Sequence, residues 1–188
     1  MPFDSRQVVA TEVGTGTFKF SSATSGRFEY TVNGITQSKT LTRTEFGNAI
    51  PECTAGGPAP SIVNYQDTWW NPSESGWGLN ITHQGDLIFA TWFTYDASGK
   101  AQWLLMSDVQ RVGLSDQFTG KIYRVRGNPF NTMPWDVKSI QAPEVGAVTL
   151  TFLDRDNGTF AYTLDGVSQV KAITRMEFAS PKAMCSFR

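Results

Sequence analysis

The stretch "VGAVTLTFLDRDNGTFAYTLDGVSQVKAITRMEF", residues 145–178, reads as three short strands divided by two tight turns. Threonine, valine and aromatic residues dominate the runs, as strands favour. "RDNGT" and "LDGV" supply the asparagine, aspartate and glycine that the φ > 0 positions of hairpin turns require. The spacing predicts strands over 147–153, 159–164 and 167–178. The same stretch occurs twice. "MPFDSRQVVATEVG" at 1–14 matches "MPWDVKSIQAPEVG" at 133–146, and "TVNGITQSKTLTRTEF" at 31–46 matches "TLDGVSQVKAITRMEF" at 163–178. The match runs without a gap, with 21 identities over 53 paired positions, so the two blocks are copies of one unit.

Working outward, further strand signals cover 77–84, 87–95, 101–109 and 118–126, with "QGD" and "DASGK" between them. In the first copy they cover 15–21, 27–32 and 35–46. No window shows helical periodicity. "LIFATWF" is apolar on both faces, which places its strand centrally in a barrel or sandwich. The expected fold is all-β: an antiparallel meander closing into a small barrel, with a two-sheet sandwich as the alternative. It carries an extra three-stranded partial repeat at the N-terminus. The expected division is a partial repeat over 1–53, a semi-rigid Pro/Gly linker over 54–64 ("TAGGPAPSIVN") and a complete Trp-rich β module over 65–188.

A formal net charge of −1 leaves no basic surplus for a phosphate backbone, which argues against a nucleic-acid partner. No apolar run reaches the roughly 18 residues of a membrane span. "MPFDSRQ" does not read as an export signal, so the chain is either a mature form or a piece of something longer. One histidine and two distant cysteines do not make a zinc site. "DRDNG" at 154–158 imitates the start of a calcium loop, but no ligating glutamate follows and a hairpin turn explains it. No metal and no cofactor are expected.

Candidate site residues fall in two places. "WWNPSESGWGLNITHQGDLIFATWF", residues 69–93, holds four of the six tryptophans and the single histidine. Flat indole faces suit stacking on sugar rings or planar ligands. Trp69, Trp70 and Trp77 beside "NPSESG" are read as candidates for an exposed role, with Trp69 or Trp70 at the rim of a groove shared with Trp77 and His83. Trp92 and Trp103, in mid-strand, are read as core. The second place is the row Val167, Gln169, Lys171, Ile173, Arg175, Glu177, one face of a strand by period two. Its Gln-Lys-x-Arg-Glu pattern recurs at 37–45. The row is either a solvated face of charge pairs or a polar wall of a ligand-holding lumen or subunit contact.

Two catalytic arrangements can be drawn. Ser75, His83 and Asp86 or Asp67 supply a nucleophile, base and acid, although "ESGWG" lacks the strand–turn–helix context of a nucleophile elbow. Glu74 with Asp67 supplies a carboxylate pair for glycoside hydrolysis. His83 follows Leu79 and Ile81 on the apolar side of its strand, where a lone histidine is ordinarily a packed, hydrogen-bonded residue.

"WWNPSESGWGLNITHQGDLIFATWFTYDASGKAQWLLMS" closely resembles a Trp-rich repeat module of secreted proteobacterial proteins, found in tandem or appended to exported enzymes. The likeness covers 65–178, and 1–46 looks like the end of a preceding module. The family has no established function, so the resemblance implies an extracellular or cell-surface bacterial setting and a multi-module context. "AQWLLMSD" is also similar to a strand of avidin-type barrels, whose tryptophans wall a ligand pocket. In an exported chain Cys53 and Cys185, at equivalent places in the two copies, are expected to pair; two free thiols or intermolecular bonds are the alternatives. The leading functional reading is a non-enzymatic extracellular module for binding or assembly. Its partners are a glycan or other cell-surface ligand, or its own and neighbouring modules. A small-ligand barrel and a hydrolase are the alternatives. The surplus strands would expose Phe18, Phe20, Phe28 and Tyr30. They are expected either to join the complete unit in a larger sheet or to complete a neighbouring chain by strand addition.

Overall fold

The computed structural model describes residues 4–47, 49–56, 63–178, 180–181 and 183–187. Its strands are β1 (Gly14–Phe20), β2 (Ser25–Val32), β3 (Ile35–Thr42), β4 (Glu52–Ala55), β5 (Asp67–Trp70), β6 (Gly78–Gln84), β7 (Leu87–Tyr95), β8 (Ala101–Arg111), β9 (Gln117–Arg124), β10 (Glu144–Phe152), β11 (Asn157–Leu164), β12 (Val167–Arg175) and β13 (Ala183–Ser186). β5 to β12 close an eight-stranded barrel in which every strand lies beside its neighbours in sequence. The meander barrel is therefore the fold, not the sandwich. β1, β2 and β3 form a separate three-stranded sheet, and β4 pairs with β13. The larger joint sheet does not form: among the described residues no strand of β1–β3 pairs with a barrel strand.

Closure rests on a strand that the sequence conceals. β5 is only "DTWW", too short to show alternation, yet it pairs with β6 at Trp69↔Leu79 and with β12 at Arg175↔Trp69 and Thr174↔Trp70. The four-residue strand leaves most of β12, from Val167 to Ile173, without a ladder on that side among the described residues. Expected strand ends shift where side chains redirect the backbone. β3 stops at Thr42 rather than 46 because Phe46 and Gly47 both donate their backbone N–H to Gln84 Oε1, at 2.9 and 3.0 Å. The approach is close: a Cβ at Gly47 would lie 2.2 Å from the Gln84 carbonyl oxygen. β12 stops at Arg175, whose side chain turns inward while the Met176 N–H donates to Thr68 O at 2.8 Å.

The two copies share their register at the sequence offset. Gly14↔Val32 and Ser25↔Thr42 in β1–β3 correspond to Gly146↔Leu164 and Asn157↔Thr174 in β10–β12. Both tight turns place Asn or Asp at φ 48°, at Asn33 and Asp165, followed by a glycine. Tyr30 donates to Gln37 Oε1 and Tyr162 to Gln169 Oε1.

The chain forms two compact units, residues 1–5 with 46–126 and 141–188, and residues 6–45 with 127–140. In the first, the barrel interior is the core. β6 turns Leu79 and Ile81 inward, β7 Ile88, Ala90 and Trp92, and β10 Val148, Leu150 and Phe152, all buried. An eight-stranded barrel is just wide enough for side chains to fill it, and these do. Cys53 and Cys185 are disulfide-bonded across β4 and β13, so neither alternative thiol state applies. Of the expected linker, Thr54 and Ala55 lie in β4, and 57–62 lie outside the described residues.

Candidate functional site

The lower end of the barrel is built around His83. Its ring is fully buried, stacked on Tyr65 at 5.5 Å and edge-on to Phe118 and Phe187, both at 5.1 Å. The Tyr65 backbone N–H donates to Nδ1 at 3.1 Å, so the proton sits on Nε2, which donates to Gly85 O at 2.9 Å. Burial, with help from the Arg111 charge, pushes the imidazole pKa down to about 4. With both nitrogens engaged and no solvent access, the ring is held as a neutral structural group. Ser75 is exposed and precedes β6, whereas His83 lies near its far end; at about 3.3 Å per residue the two are roughly 20 Å apart. Asp86 is ion-paired to Arg111 at 2.8 Å. The Ser75/His83/Asp86 arrangement does not assemble.

Arg175 corrects the reading of a solvated row. It is 9% exposed. Its guanidinium donates to the carbonyls of Asn64, Gln66 and Arg155, pairs with Asp67 at 3.2 Å and lies over the Trp69 ring at 5.2 Å. Trp69 itself is fully buried, its indole N–H donating to Tyr65 O at 2.9 Å. Two same-face positions up β12, Lys171 donates to both oxygens of Glu74, at 3.0 and 2.9 Å, and Trp77 donates to the same carboxylate at 3.0 Å. Ile173, between them, is core. The row Gln169, Lys171, Ile173, Arg175 is thus an inner barrel face that leaves the interior only at its upper end, where Gln169 is exposed; Glu177 lies past the strand, also exposed. Glu74 is ion-paired to Lys171 and Asp67 to Arg175, so each carboxylate of the proposed glycosidase pair is engaged by its own cation.

The expected rim, Trp69 or Trp70 over a groove shared with Trp77 and His83, is overturned by burial: Trp77 is 7% exposed, Trp69 and His83 are fully buried, and of the four only Trp70 reaches the surface. Within the barrel strands the exposed aromatics lie on the outer wall instead. Trp103, expected in the core, is 45% exposed, and its cross-strand partner Phe93 is 48% exposed. Trp70 is half-buried on the same outward side. Gly78 stands between Trp70 and Phe93: it pairs with Phe93, and a Cβ added to it would approach Trp70 Cβ at 4.0 Å. The row Trp70–Gly78–Phe93–Trp103 thus presents aromatic faces flanking a floor that has no side chain. Beside it, Gly76, Phe93, Tyr95, Ala101 and Trp103 line a shallow groove of about 200 Å³. Trp92, by contrast, is core as expected, 4.6 Å from Tyr162 and edge-on to Phe160 at 4.9 Å. In "AQWLLMSDV" both faces are apolar, and only the alternation of Leu104 and Met106 with Trp103 could have signalled the outward indole.

Comparison with family models, with curated proteins and with solved structures returned no match.

Proposed function

We propose that this chain is a non-enzymatic extracellular binding module whose outer aromatic wall, Trp70, Phe93 and Trp103, stacks against the flat faces of a glycan. The adjacent exposure of Phe93 and Trp103 carries the reading. Two large aromatic side chains held side by side on a rigid strand pair are costly to leave in water unless they meet a ligand. Stacking on such a platform needs no catalytic group, and the groups that suggested catalysis are occupied: both His83 nitrogens in hydrogen bonds, Asp67 and Glu74 in ion pairs. The filled interior favours the wall over a lumen as the place where a ligand sits. The disulfide is compatible with an oxidising, extracellular setting. Titration of the protein with a library of soluble oligosaccharides, followed by tryptophan fluorescence, tests the reading. At least one glycan class should quench or shift the emission in wild type, and Trp103→Ala should weaken that binding by about 1–3 kcal/mol. Silence across the library, or full binding by Trp103→Ala, would count against it.

A further inference from the structure

The β1–β3 sheet has the register of β10–β12 but lacks what covers them. In the barrel β10 is flanked by β9 and β12 by β5, and Leu150 and Phe152 are buried beneath the strands opposite. At the equivalent places Phe18 is 58% and Phe20 75% exposed, and among the described residues β1 and β3 pair only with β2. Phe18 stacks on Phe28 at 4.4 Å and Phe28 meets Tyr30 at 4.9 Å, so the four rings form one continuous apolar face. Tyr30 is covered by Phe130 at 6.2 Å, where Tyr162 in the barrel has Trp92 at 4.6 Å.

The cations on this face say what would cover it. Lys39 pairs with Phe28 across the strands as Lys171 pairs with Phe160, and Arg43 is the equivalent of Arg175. Lys171 has Glu74; Arg175 has Asp67, three carbonyls and the Trp69 ring. Neither Lys39 nor Arg43 has an ion pair among the described residues. We infer that the β1–β3 sheet is a docking surface for a separate five-stranded Trp-rich block of the β5–β9 kind, with which it closes a second barrel. That block brings a carboxylate to Lys39 and an Asp–carbonyl–indole seat to Arg43. A second copy of this chain is not the occupant. Residues 1–188 hold one Trp-rich block and two three-stranded blocks, so exchange of these residues between copies leaves one sheet per copy uncovered. The inference stands independently of the outer aromatic wall.

The test compares the full chain with a tandem protein in which a second copy of residues 63–132 immediately precedes Met1, the connection that leads into residue 133 in the barrel. Hydrogen exchange is followed at the amides of β1 and β3. In the tandem protein these amides should exchange at least tenfold more slowly than in the full chain. The charge reversal Lys39→Glu with Arg43→Glu should abolish that protection while leaving β10–β12 unchanged. Unchanged exchange in β1 and β3 overturns the proposal. If the tandem protein aggregates, a second version with a Gly/Ser spacer between the added residue 132 and Met1 decides: slower exchange at β1 and β3 is expected there, and unchanged exchange contradicts the proposal. Protection of β1 that rises with the concentration of the unaltered chain would assign the face to a second copy and overturn it equally.

Discussion

Lys171 and Glu74 lie 97 positions apart in the chain and meet at 2.9 Å, across the place where β5 has already left the barrel wall. Both are about four-fifths buried, so their attraction is less screened than that of a surface pair. Glu74→Ala should destabilise the protein by about 1–3 kcal/mol, because it strands a largely desolvated ammonium and the Trp77 N–H together. In a double-mutant cycle with Lys171→Ala, chemical denaturation should show a coupling above roughly 0.5 kcal/mol. Additive effects would mean that the pair does not hold the seam.

His83 makes stability depend on pH in a defined window. Its pKa falls from 6.5 in the unfolded chain to about 4 in the folded one. Between those values the unfolded state binds the extra proton, so stability is full above pH 6.5 and is lost as pH falls towards 4. From pH 7 to 5 the loss amounts to about 2 kcal/mol. Urea unfolding at the two pH values should show it, and His83→Gln should remove most of that difference. A mutant with undiminished pH dependence would place the responsible group elsewhere.

The Cys53–Cys185 bond closes a span of 132 residues. A constraint on so long a loop stabilises by about 5 kcal/mol in the chain-entropy model. Thiol labelling of the native protein should find no free thiol, and the melting temperature should fall when the bond is reduced. An unchanged melting temperature would mean that β4 and β13 contribute little to the folded unit.

Two tryptophans on neighbouring strands should behave oppositely. Trp92→Ala removes an indole from the core and should cost about 3–5 kcal/mol. Trp103→Ala removes one from the outer wall and should cost less than about 1 kcal/mol. Equal losses in denaturant unfolding would contradict the assignment of the two faces.

The contrast between those residues also marks how far the sequence could be read. β6, β7, β11 and the three-stranded copy were legible because turn dipeptides bound them and their alternation is clear. β5 was not, since four residues show no period and its strand character comes from pairing with Leu79 and Arg175. Trp103 was misplaced because β8 is apolar on both sides, and burial there is decided by barrel curvature. The inward seat of Arg175 was not legible, because it is made largely of the backbone carbonyls of Asn64, Gln66 and Arg155, which no side-chain pattern announces. His83 was legible as a packed residue from Leu79 and Ile81 before it; that both its nitrogens are engaged required the fold.

The outer wall can be tested at each indole separately. The protein has six tryptophans, hence six indole N–H signals in a nitrogen-15 correlation spectrum. On titration with a glycan that quenches the fluorescence, the Trp103 and Trp70 signals should shift saturably while those of Trp69 and Trp92 stay in place. Shifts confined to Trp69, Trp77 or Trp92, with Trp103 unmoved, would put the ligand inside the barrel and contradict binding at the wall.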